Sequence, residues 1–134
     1  MKKITLVVLA ALLGYGLSPA QTNKSQGDQL YSFVALKNPP QFPGGLTKFY
    51  EFLAKNLKYP EAAKAKSIRG NVFASFIIEK DGSLSSIKIL RGLGSGTDEE
   101  AIRVLKTSPK WNPGSLDGKP VRAQYSVPIK FFYK

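Results

Sequence analysis

The chain has 134 residues, enough for one ordinary domain, with 20 Lys and Arg against 9 Asp and Glu and neither His nor Cys. Those two absences exclude an imidazole base, a thiolate nucleophile, disulfides and any His/Cys metal centre. The acids fall mostly at turns and helix starts, where each has local structural work, so the expectation is a non-enzyme with no cofactor.

Residues 1–20 read as a cleaved signal peptide: Lys2 and Lys3, an apolar stretch from Ile4 to Leu17, and the small residues Ser18-Pro19-Ala20. The stretch is short for a membrane span of ~20 residues; retention as an inner-membrane anchor is the competing reading. Without that segment 18 basic residues face 9 acidic ones, a net charge of +9. Such an excess usually points to nucleic acid. Export argues against that and leaves anionic cell-wall polymer or acidic protein segments as partners. Residues 21–38 read as a flexible or extended N-terminal segment, with Leu30 to Leu36 either a short edge strand or an extended stretch lying on the domain.

The domain proper is expected over 39–134. Pro39, Pro40 and Pro43 forbid a helix before Gly44-Gly45 permits a reversal, with Phe42 turned into the core. Leu46, Phe49, Tyr50, Leu53 and Leu57 then form a helical stripe. Pro60 stops that helix and opens a short second one to about Lys66. Gly70 to Arg91 predicts a hairpin about a two-residue Asp81-Gly82 turn, with Phe76 opposite Ile87, Ala74 opposite Ile89, and Ile78 opposite Ser85. Thr97-Asp98-Glu99-Glu100 reads as a capping box, Thr97 the N-cap and Glu100 reaching back to it, ahead of a helix that Pro109 ends.

From Val121 to Phe131 apolar and polar residues alternate strictly, the pattern of a half-buried strand. Pro128 lacks an N–H and confines that strand to an edge. The expected fold class is α+β: helices packed on one face of a three-stranded antiparallel sheet, its C-terminal edge strand exposed.

Several motifs carry a family resemblance: Phe42-Pro43-Gly44-Gly45, Leu57-Lys58-Tyr59-Pro60-Glu61-Ala62-Ala63, Ile68-Arg69-Gly70-Asn71-Val72, Phe76 through Asp81-Gly82, Asp98-Glu99-Glu100-Ala101, Pro109-Lys110-Trp111-Asn112-Pro113-Gly114, and Val127-Pro128-Ile129-Lys130-Phe131. In this order and spacing they resemble the C-terminal domain of TonB-type energy transducers. The resemblance implies a periplasmic domain that grips the TonB box, a short extended segment of outer-membrane receptors, by adding it beside the last strand. An exposed edge is a template for such an addition. Carried over, the partner-binding residues are Ala123, Gln124, Tyr125, Ser126, Val127, Pro128 and Ile129. Asn56, Lys58 and Tyr59 carry over as a second lip. Beside these stand plainer readings: Tyr59 as core packing, Pro128 as a guard against aggregation, Trp111 as a core anchor. A full transducer also keeps a membrane helix and a long proline-rich linker. Neither is seen here, so the expectation is the box-binding half without the force-transmitting half. The alternative is a structural envelope protein that binds anionic polymer or self-associates, as a homodimer, through its edge strand.

Overall fold

The computed structural model describes residues 29–132; the expected signal segment, residues 1–20, lies outside the described residues. Along the chain run β1 (Leu30–Ser32), a 3-10 turn over Phe33–Ala35, α1 (Leu46–Asn56), α2 (Glu61–Ala65), β2 (Gly70–Ile78), β3 (Leu84–Arg91), α3 (Thr97–Lys106), β4 (Gly114–Leu116) and β5 (Lys119–Phe131). No helix among the described residues is long and apolar enough to cross a membrane.

The period-two pattern of the last strand holds. Val121, Ala123, Val127, Ile129 and Phe131 are buried, as are Val72, Ala74, Phe76 and Ile78 of β2. These positions turn to one face of the sheet, where Phe49 and Leu53 of α1 and Ala101, Val104 and Leu105 of α3 complete the core, except that Val121 and Ala123 pack with Leu36 in a smaller cluster. The α+β class and the one-sided helical layer are as expected.

The sheet itself differs from the expectation. It has five strands rather than three and is mixed rather than antiparallel, in the order β1-β5-β2-β3 with β4 pairing β5. The added members are two three-residue strands. β1 pairs in parallel with β5, Leu30 with Arg122, Tyr31 with Ala123 and Ser32 with Gln124. A three-residue strand is too short to show periodicity, and a parallel partner far along the chain leaves no turn signal. β4 folds back on β5 through Asp117-Gly118, both at positive φ (53° and 81°), with Leu116 opposite Lys119. That is the two-residue turn expected instead at Asp81-Gly82.

The 81–82 turn is longer. Glu79 donates its N–H to Ser83 O at 2.8 Å, and Gly82 donates to Glu79 O at 2.8 Å. This closes a three-residue loop with Gly82 at φ 89°. Asp81 Oδ1 accepts from both the N–H and the hydroxyl of Ser83. Near the turn Ile78 therefore faces Leu84, not Ser85. An irregularity around Ser86, at φ 48°, places Ser75 opposite Lys88 and restores the expected pair of Ala74 with Ile89. Gly82 is also required by contact: a Cβ there would lie 2.0 Å from Trp111 O. The Trp111 N–H binds Gly82 O at 2.8 Å, so the hairpin tip and the Trp111 loop are one unit.

Candidate functional site

β5 is not an exposed edge along its whole length. On one side it pairs with β2 from Ala123 to Phe131; on the other it meets β1 at Arg122 to Gln124. Among the described residues no strand pairs with that second side from Tyr125 onward, and this is its open part. Pro128 shows which groups point there. It sits opposite Phe73 and has no N–H, so theirs is a pair without mutual hydrogen bonds. The register to β2 is continuous, so by alternation Ser126 and Gln124 also turn their N–H and C=O groups away from β2. At Gln124 the β1 strand covers them. At Ser126 they are open.

Helix α1 borders this open stretch, with an apolar cleft at each end. The first cleft, about 200 Å³, has Phe33, Pro40, Phe42, Leu46, Trp111 and Tyr125 in its walls. The second, about 150 Å³, is lined by Tyr50, Leu53, Ala54, Leu57 and Lys130. Trp111 holds the first cleft in place: its ring lies 5.4 Å from that of Tyr125 and 5.5 Å from those of Phe42 and Phe76. Burial raises the pKa of Tyr125, and the neighbouring Tyr50 adds to it; burial raises Tyr50 as well. Both phenols stay protonated at neutral pH.

The residues expected to form a second lip are held through α3. Glu100 does not reach back to cap its own helix: the residue at the N-cap is Gly96, with no side-chain cap. Instead Glu100 Oε2 accepts the Lys58 N–H at 2.6 Å, and the carboxylate pairs with Arg103 at 2.7 Å. Arg103 Nη2 in turn donates to Asn56 O at 2.9 Å. Asp98 takes over the work at the helix start, accepting from the Leu93 N–H and the Thr97 hydroxyl. Asn56 and Lys58 are thus held by their backbones, with their side chains exposed. Tyr59 is half-buried against the ring of Phe131 at 6.0 Å.

Of the residues expected to bind a partner, Tyr125 to Ile129 lie on the open stretch. Tyr59 closes its far end through Phe131, while Ala123 and Gln124 are taken by Tyr31 and Ser32. Sequence reasoning missed Tyr50, Ala54 and Leu57 of the α1 border, and Phe33. Its one available sign was the width of the α1 stripe. Tyr50 is only half-buried at the margin of the core, and Leu46 is 52% exposed.

Two carboxylates stitch the domain and set its acid limit. Glu79 binds Arg122 (2.7 Å from Nε) and accepts from the Ser85 hydroxyl, joining β2, β3 and β5 on the open face. The Arg122 hydrogen bond foremost, then that of Ser85, lowers the Glu79 pKa; Arg103 foremost lowers that of Glu100. Depressed folded values stabilise the fold above the unfolded carboxylate pKa of ~4.3, and that stability is lost as pH falls through the folded values. The melting temperature should therefore hold from pH 7 to about 5 and drop below ~4.5. Glu79→Gln/Glu100→Gln should melt lower at pH 7 and lose less on acidification. Parallel pH curves for the two proteins would refute the assignment.

A family model described as the C-terminal part of Gram-negative bacterial TonB protein matches residues 55–132. Protein TonB of Vibrio cholerae is 29% identical over 75 residues, which is 55% of this chain and 30% of that protein. The chain thus spans less than a third of that relative. A solved Helicobacter pylori TonB C-terminal domain superposes with a TM-score of 0.50 at 22% identity, over 66% of this chain and 79% of that one, which shows a shared fold. The Pseudomonas aeruginosa TonB C-terminal domain aligns at 26% identity and a TM-score of 0.41, over 57% of this chain and 80% of that one. The family match begins inside α1, so β1 and most of α1 precede it. By the match over residues 55–132, the chain belongs to the TonB C-terminal domain family.

Proposed function

We propose that the chain is a periplasmic binding module of TonB-dependent transport, taking an extended segment of an outer-membrane receptor as an added strand along Tyr125 to Phe131. One observation carries this reading: an unpaired strand edge whose N–H and C=O groups face outward between two apolar clefts. Backbone bonds to such an edge supply affinity, and alternate side chains falling into the clefts supply selectivity. Lys130 beside the second cleft favours an acidic residue at one end of the segment. Asn56, Lys58 and Tyr59 form the wall at that end. Export by the signal peptide places the domain where such segments are exposed.

The test is titration of the full chain with synthetic peptides from the N-terminal periplasmic segments of outer-membrane receptors of the same organism, followed by amide chemical shifts. The expected result is saturable binding, with shifts confined to Tyr125–Phe131 and α1, that survives moderate salt. Shifts on the open face around β3, or binding that collapses as salt rises, would instead indicate a polyanion site on the basic surface.

A further inference from the structure

The strand already lying on β5 tells what a partner must do to bind there. Leu30–Ser32 pairs with Arg122–Gln124 on the side of β5 whose continuation is the open stretch. At its end the 3-10 turn sends the Phe33 ring edge-on against Tyr125, with centroids 4.4 Å apart, and Phe33 forms part of the first cleft's wall. A second strand entering at Tyr125 meets that ring before it meets the edge.

The hold of this segment is thin. It pairs over three residues, Leu30 is 37% exposed and Val34 is 76% exposed, and Tyr31 is the half-buried side chain that ties it to the small cluster of Leu36, Val121 and Ala123. Downstream the chain is pinned. Leu36 is buried, Asn38 bridges to Ser115, and Gln41 exchanges backbone bonds with Asn112 at 2.9 and 2.8 Å. Residues 30–35 can therefore swing away about Leu36 without disturbing the clefts' remaining walls.

We propose that Leu30–Phe33 is an intramolecular competitor for the recognition edge, and that the segment replacing it carries a large apolar or aromatic side chain where Phe33 now lies. This rests on the strand-addition reading above. Being tethered, the competitor acts at a high effective concentration, so even its few contacts weaken a partner measurably. Displacing it lengthens the available edge back to Arg122 and opens the first cleft.

The experiment uses the full chain and the same receptor peptides in three forms. Tyr31→Pro removes an N–H from β1 and should raise hydrogen exchange at the Gln124 amide tenfold or more while Tyr125 and Val127, facing β2, keep their protection. It should also tighten peptide binding at least threefold, and a peptide whose apolar anchor is changed to Ser should lose that gain. Ser32→Cys/Gln124→Cys locks the segment instead: paired strands lie ~4.8 Å apart, within the Cα separation a disulfide spans, and the chain has no other Cys to interfere. The oxidised form should bind at least tenfold more weakly than the same protein reduced. Equal affinity in oxidised and reduced forms, or in wild type and Tyr31→Pro, overturns the competition while leaving strand addition intact. If the peptides bind none of the forms, it is the strand-addition reading that fails, and the competition falls with it.

Discussion

Replacing Trp111 by Ala should cost the domain about 4–5 kcal/mol, the upper end for removing a large buried aromatic side chain. The chain's one Trp is 3% exposed and touches four rings, with centroids 5.0 Å away at Phe49, 5.5 Å at Phe42 and Phe76, and 5.4 Å at Tyr125. Edge-to-face pairs add about 0.5–1.5 kcal/mol each beyond area burial, so this residue exceeds a lone buried Trp. Its indole N–H donates to Ser108 Oγ at 2.9 Å, and its removal leaves that hydroxyl without the donor. A domain with about 5–15 kcal/mol in hand would lose a quarter or more of its stability. Urea unfolding followed by circular dichroism is the measurement, since the substitution removes the fluorophore. Trp111→Phe, keeping a ring in place, should cost about half as much. A loss under ~2 kcal/mol for the Ala variant would show that the aromatic cluster does not hold the layers together.

What the sequence discloses follows the range of each physical signal. The α1 stripe and the alternation along β2 and β5 are local periodicities; they recur as buried faces along β2 and β5 and, on α1, at Phe49 and Leu53 but not at Leu46. Phe42 between prolines and Trp111 before Asn-Pro-Gly were legible as anchors because large apolar residues in loops need somewhere to go. The hairpin register was legible where side chains decide it, at Ala74 with Ile89, and lost near the turn. There a three-residue loop shifts the count by one until a left-handed Ser86 shifts it back, and a Ser in that conformation has no distinctive sequence mark. Asp-Gly occurs twice and closes a two-residue turn only at 117–118, because the 81–82 turn is docked on the Trp111 backbone. Glu100 has the spacing of a cap to Thr97, yet its carboxylate serves Lys58, a partner far along the chain. The same limit hid the partner of β1, which the sequence offers as a short edge strand or an extended stretch within Leu30 to Leu36. An edge is defined by what does not pair with it, and no local pattern records an absence.

Ser126→Pro should leave the fold standing and lower affinity for a receptor segment at least tenfold, whereas Tyr125→Pro should unfold much of the sheet. The two positions are adjacent on β5 and differ in where their N–H points. Phe76 lies opposite Tyr125 in a pair that exchanges both hydrogen bonds, so a Pro there deletes a β2–β5 ladder bond and the ring that packs on Trp111 and Phe76. Ser126 is exposed and its N–H is directed to the open side, so a Pro removes only the donor an incoming strand would use. The ring also takes the space that strand would occupy, which makes the loss larger than the ~1 kcal/mol of one net hydrogen bond. Gln124→Pro, equivalent by alternation, is not a clean test, since Gln124 faces Ser32 and its loss would free the N-terminal segment at the same time. Ser126→Ala is the control and should change affinity by less than twofold, because the side chain points to solvent and away from both clefts. Thermal unfolding and peptide titration of the three variants decide it. A folded Ser126→Pro protein that binds as tightly as wild type would remove the open stretch of β5 from the interface.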